Sequence, residues 1–439
     1  MMIDTKSDTA GYVDLFKSLD ENMSIAQLRN IRREAITRFA ELGFPTTRNE
    51  EWKYTSVLPL QSEQFLIPGN EPAWLLGWAA KDRFATLSRI RLVFVNGRYS
   101  AKLSETEGLP RQVIVQNIKS SLPGIALIKD RLADSYESEA NSFVLMNAAF
   151  FEDGAYLEIP RNVVVEEPIQ IVYLTANEGK PTMAFPRTLI VAGENAQATI
   201  IESYSSAEED CIYFNNAFTD FVLGDNANLN HYRLGFESFK AFHISTSRVC
   251  MSVNSHFSST SVNIGGALVR NDIEADLAEQ GAHCTLNGLY LVDGKRHVDN
   301  HTNIQHRAPN CESHELYKGV LDDHSVGVFN GKVYVHQDAQ KTDAKQTNRN
   351  LLLSPDAVIN TKPQLEIYAD DVRCTHGATV GQLDDDHLFY LRTRGIPKEE
   401  ARSILTYAFA AEALSGIKEP EIRDHLQKLV HNTIRQGEA

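Results

Sequence analysis

The chain has 439 residues, of which 42% are hydrophobic, 9% aromatic and 23% charged. That is the profile of a folded globular protein, with length for one large solenoid or barrel or for two to three ordinary domains. A net charge of −15 without any Lys/Arg-rich run argues against nucleic-acid binding, five scattered cysteines without CxxC argue against a disulfide framework, and no run of eighteen apolar residues offers a membrane span.

The first twenty residues carry Asp4, Asp8, Asp14 and Asp20 and no apolar core. We read them as a loosely held start without a signal peptide, and expect a cytoplasmic protein. Ser24 with Gln27 three residues on has the form of a capping box, and Ile25, Leu28, Ile31, Ala35, Phe39 and Leu42 follow at helical spacing until Gly43 and Pro45. The mixed stretch Thr46–Leu60 then reads as a surface segment anchored by Trp52 and Tyr54.

From Ile90 the texture changes to short β-branched runs such as Ile90–Asn96, Ile169–Leu174 and Thr188–Ala192, bounded by Gly, Asn, Asp or Pro. Between residues 155 and 395 only Asp272–Glu279 suggests a brief helix. Gly193-Glu194-Asn195-Ala196 recurs as Gly224-Asp225-Asn226-Ala227. Leu291-Val292-Asp293, Leu321-Asp322-Asp323 and Leu353-Ser354-Pro355 open three similar blocks. Each block passes into a strand, at Thr302–Gln305, Lys332–Val335 and Gln364–Ile367. Self-similarity near thirty residues with β texture predicts a solenoid, and a right-handed parallel β-helix is preferred over a β-sandwich.

The stretch Gln364–Gly395 carries the most chemistry. A strand-like alternation leads to Cys374 and His376, which period two places on one face as a half-site for a metal or cluster. A buried small hydrophobe is the plainer use of Cys374. The run Asp384–Asp386 follows, and with Asp322/Asp323 it could supply the carboxylate pair of a β-helix glycosidase; solvated turns are the simpler reading. Seven histidines (His283, His297, His301, His306, His314, His324 and His336), with Cys311-x-x-His314 among them, lack a zinc spacing. No nucleotide motif and no nucleophile elbow is present.

Two helices close the chain. The first starts at Pro397 with Glu399 and Glu400 in its first turn, and carries the small-residue face Ala401, Ile404, Leu405, Ala408, Phe409 and Ala411. The second starts at Pro420 with Ile422, Leu426, Leu429, Val430 and Ile434 on one side. They would cap the solenoid or dock a partner. The expected division is 1–89 helical, 90–395 β-helix core and 396–439 helical.

Thr347–Ile396 (TNRNLLLSPDAVINTKPQLEIYADDVRCTHGATVGQLDDDHLFYLRTRGI) resembles the signature region of the SufB/SufD family of scaffold proteins for iron–sulfur cluster assembly. Ala408–Leu414 and Gly43–Thr55 (GFPTTRNEEWKYT) are similar to the family as well, the latter to its SufD branch. Where SufB carries a cysteine, this chain has Asn348 or Arg349. Where SufB has a Glu after its motif histidine, this chain has Gly377. The resemblance implies a non-enzymatic subunit that pairs with SufB through the β-helices and docks the ATPase SufC through its C-terminal helices. It implies no permanent cofactor, with a transient iron or iron–sulfur cluster at the SufB interface. It makes His376, and less strongly Cys374, a candidate iron or nascent-cluster ligand. A homodimer of the isolated chain through the same edge is a further expectation, and a purely structural subunit is the alternative.

Overall fold

In the computed structural model, residues 9–20, 28–69, 87–121, 139–177, 179–208 and 210–436 are described, together with positions 71, 72, 74, 75, 77, 84 and 131. Strands run from Ile90 to Gly381 in two ten-stranded, almost wholly parallel sheets. Each coil contributes one strand to each sheet. Equivalent residues of one sheet, Asn228, His256, His283, Glu312, Asp343 and Arg373, follow one another in strict register. The parallel β-solenoid expected from the repeats is therefore present.

The repeat motif is a corner. One residue per coil, Asn162, Asn195, Asn226, Asn254, Gly281, Asn310 and Lys341, takes a positive φ of 51 to 72°. Each donates its backbone N–H to a carbonyl of the next coil, as Asn195 does to Asp225 at 2.8 Å and Asn226 to Val253 at 2.8 Å. Asparagine and glycine are the residues that enter this region at least cost. Gly193 and Gly224 are needed for another reason: a Cβ on either would stand 2.8–2.9 Å from the backbone of the preceding corner.

Alternation along the strands separates two environments. One face, including Leu229, Phe257, Cys284, Leu286 and Phe329, fills the solenoid interior. The other face is covered by helices. On one sheet lie Ala10–Asp20, Arg29–Leu42 and Ser142–Phe150, bringing Phe16, Phe39 and Phe150 against Phe185 and Phe214. On the other sheet lie Lys398–Leu414 and Pro420–Gln436, with Leu414, Ile422, Leu426 and Val430 against Leu234, Val262 and Leu289.

Several expectations change here. The chain start is not loose throughout, because Ala10–Asp20 is helical and Phe16 packs edge-on against Phe150 at 5.8 Å. The Ser24/Gln27 capping box and Ile25 lie outside the described residues. Leu28, Ala35 and Phe39 are buried as the helical spacing required, whereas Leu42 is exposed. Of the two proposed anchors, Trp52 is buried with Arg270 stacked 3.8 Å above its ring, and Tyr54 faces solvent. Asp272–Glu279 is not helical: Leu268–Leu277 is a strand, its polar side chains lying on the outer sheet face. The C-terminal helices cover the flank of a sheet instead of capping the solenoid end. The buried face of the first is also rotated, with Ala401, Thr406, Ala410 and Ala413 inward and Ile404 and Ala408 outward, whereas the second buries Ile422, Leu426 and Val430 as expected.

Candidate functional site

The final coil is built from Val358–Ile367 in one sheet and Arg373–Gly381 in the other. The strand alternation that begins at Gln364 does not run on to Cys374. It breaks at residues 368–372 and resumes in the opposite sheet. Each of these strands pairs on one side only, with Val326–Val335 and Asp343–Leu352 respectively. From Thr375 to Gly381 every residue is exposed. The solenoid thus ends, among the described residues, in two open strand edges, which offer unpaired N–H and C=O groups to another chain.

Cys374 and His376 stand on this end, and both face the solenoid interior. Cys374 is half-buried beside Val333, Val335 and Ala344, and burial raises its thiol above the usual range. It is therefore a protonated, weakly nucleophilic group in the free chain. His376 is exposed and is register partner to Gln346. Period two does place the pair on one face, as expected. No group of three or more His, Cys, Asp or Glu residues able to hold a metal occurs among the described residues. Two donors on an open end are too few to hold a metal by themselves.

Behind them, positions the sequence did not single out continue the same interior face. Glu315 is fully buried, accepts from Gln346 Nε2 at 2.6 Å, and is pushed up to about 7 by burial, against the hydrogen bonds of Thr302 and Gln346. Asn348, one of the two residues at the place where the resemblance implies a cysteine in SufB, is also interior and donates to the Tyr317 carbonyl at 3.2 Å. Arg349 points outward instead, to Glu412 at 3.1 Å. A side chain on Gly377 would meet nothing within 4 Å, so the backbone does not forbid a larger residue there.

The other candidates disperse. His297 and His301 lie on the outer sheet face under the Glu50–Thr55 segment, where Asp299 binds His301 Nε2 at 2.9 Å and Thr55 Oγ1 at 2.5 Å. Burial opposes protonation of His301, yet the Asp299 carboxylate and the Glu51 hydrogen bond outweigh it and raise the imidazole to about 9. His306 is buried inside the coil, its Nε2 2.8 Å from Ser313 Oγ. His283 bonds Glu312 at 3.2 Å, and His314 and His324 are exposed. His336 Nε2 lies 3.1 Å from the Gln305 side chain. Cys311 is buried and donates to the Glu279 carbonyl at 3.3 Å, so it does not join His314. Asp322 and Asp323 shape a turn, with Gly294 donating to Asp323 at 3.0 Å. Asp384 is a helix N-cap, accepting from His387 and Asp386 backbone N–H groups, which lower its carboxyl pKa.

That N-cap starts the helix Asp385–Thr393, in which no residue is buried. Phe389 and Tyr390 are 68% and 57% exposed. Phe389 lines a shallow surface depression with Arg392, Ile396 and Lys398, at the start of the next helix.

Comparison with known proteins accounts for nearly the whole length. Residues 173–409 match the model of the SUF system FeS cluster assembly SufBD core domain, and residues 6–171 match that of the SufBD protein N-terminal region. The chain belongs to the SufBD family. Relatives include an iron–sulfur cluster assembly SufBD family protein of Synechocystis sp., 35% identical over 415 residues (92% of this chain, 90% of that one). SufD of Escherichia coli is 32% identical over 399 residues, covering 90% of each chain. SufD of Bacillus subtilis is 26% identical over 441 residues, with 96% and 98% covered. A role in iron–sulfur cluster assembly follows for this SufBD chain. Among the described residues no helix is long and apolar enough to cross a membrane.

Proposed function

We propose that this chain is a SufD-type subunit of a SufBCD complex, acting as a scaffold without turnover of its own. The observation that carries the reading is the half-site: Cys374 and His376 stand on an open solenoid end that offers two unpaired strand edges. A second β-helix can extend both sheets across that end and bring the missing donors, and SufB is the partner of matching architecture. Iron or a nascent cluster is then cargo held between two chains. Imidazole is a known substitute for thiolate on cluster iron, and His376 is the freer of the two donors. Without SufB, the same edge can pair with a second copy of the chain.

SufC docks, on this reading, at the C-terminal helical surface, where Phe389, Tyr390 and Ile404 are all exposed. Large exposed aromatics of this kind are the residues that anchor protein interfaces.

Co-purification separates the two contacts. With SufB and SufC co-expressed, Phe389→Ala/Tyr390→Ala is expected to lose SufC and keep SufB. Ala378→Pro, which removes an N–H on the open edge (the Arg373 N–H, five residues earlier, points to the paired strand), is expected to lose SufB and keep SufC. Retention of both partners by both variants would contradict this assignment of surfaces.

A further inference from the structure

One interior position recurs through six coils of one sheet: His231, Ser259, Leu286, Glu315, Gln346 and His376 are successive register partners. Adjacent strands are about 4.8 Å apart, so side chains in such a file meet their neighbours directly. Leu286 divides the file. On its inner side His231 pairs with Glu202 at 3.3 Å and with Ser259 at 3.0 Å. On its outer side Glu315 and Gln346 are 3% and 1% exposed, and His376 stands at the open end.

The outer half is incompletely bonded. Gln346 Nε2 donates to Glu315 Oε2 at 2.6 Å, which commits the amide's nitrogen to the coil behind it. On the facing sheet Gly331 makes room for that amide, since a Cβ there would collide with it. Gln346 Oε1 is buried and accepts no hydrogen bond. A buried acceptor left without a donor is unfavourable, because it has given up its bonds to water. The next residue of the file is His376, whose ring carries an N–H in its neutral form. A change of rotamer would bring that N–H to the waiting oxygen.

We propose that Gln346 is a positioning residue for His376. Its Oε1 accepts from one ring nitrogen and so fixes the tautomer that presents the other nitrogen at the open end. Glu315 holds the amide in the orientation this requires. Histidines that bind metals commonly donate their second ring N–H to a carbonyl or carboxylate, and that partner sets both ring direction and basicity. The proposal rests on the reading of His376 as an iron or cluster ligand, but the contact itself can be tested without metal.

The test is the imidazole ¹⁵N spectrum of the full-length chain, with the His376 signals identified by their loss in His376→Ala. Wild type should show one dominant neutral tautomer for His376. Gln346→Leu, which keeps the volume and removes both amide groups, should show a mixture of the two tautomers. Glu315→Leu gives a second route should the Gln346 variant misfold, and it too should mix the tautomers by removing the acceptor that holds the amide. Unchanged His376 signals in a folded variant would overturn the proposal. A parallel arm measures iron retained by the SufBCD complex against a ferrous chelator. Gln346→Leu should lose iron about 10-fold or more faster than wild type. If His376→Ala retains iron as wild type does, the ligand reading fails, while the tautomer result still decides the Gln346 contact.

Discussion

Glu315 is an acid sealed inside a β-solenoid, and its titration is measurable apart from any role in assembly. Burial raises its carboxyl from the usual 4.5 to about 7. The folded chain therefore holds this proton more tightly than the unfolded chain does. Its stabilising contribution is complete below about pH 4.5 and is lost as pH rises to 7 and above. The loss is on the order of 3 kcal/mol. Glu315→Gln removes that component, so its denaturation midpoint should exceed that of wild type at pH 8 and approach it at pH 5. Parallel pH profiles for the two proteins would contradict the assignment. At this scale Cys374 and His376 were legible, because spacing of two in a strand fixes a common face. Their exposure was not, since it depends on their coil being the last. Gln346 and Glu315 went unnoticed for a related reason: their significance comes from register partners some thirty residues away, which no local pattern reveals.

Coil stacking relies on size complementarity between neighbouring strands. Gly288 is register partner to Tyr317, and Tyr290 to Gly319, so each ring lies over a glycine of the adjacent coil. A Cβ at either glycine would fall inside van der Waals contact with the ring. Gly319→Ala should therefore lower thermal stability, by about 1–3 kcal/mol of overpacking, whereas alanine at the open position Gly377 should leave it unchanged. Equal stabilities would contradict the packing account. The file of left-handed corners supplies an opposite case. Lys341 has φ +63° where equivalent coils use Asn or Gly. Lys341→Asn should raise the unfolding midpoint, worth up to about 1 kcal/mol, unless loss of the Lys341–Asp371 ion pair outweighs it; because that pair is exposed, its own contribution is small. A drop in stability would show that the pair matters more than the backbone. These corners are what made the solenoid readable, since Asn195 and Asn226 sit in the motif that visibly repeats. Strands such as Glu312–Leu321 and Asp343–Leu352 escaped notice because their polar outer and mixed inner residues carry no simple alternation. The Asp272–Glu279 segment misled for the same reason, its charges being paired across strands and not along a helix.

At the scale of the whole molecule, the two flanks and the two ends of the solenoid have different fates. Helices cover both outer sheet faces, and the final coil is left open with His376 exposed. The C-terminal helices were legible as helices from their caps and spacing. Which side the first of them buried was not, because its Ala-rich stretch presents more than one plausible apolar face. An open end carrying Cys374 and His376, next to an uncovered aromatic helix, fits a subunit completed by partners. The most direct test is anaerobic co-expression with SufB and SufC, followed by iron and acid-labile sulfide assays on complexes purified to equal yield. The account predicts that His376→Ala leaves the complex intact and depletes both iron and sulfide. Unchanged cluster content in that variant would contradict the ligand role and leave the chain as architecture alone.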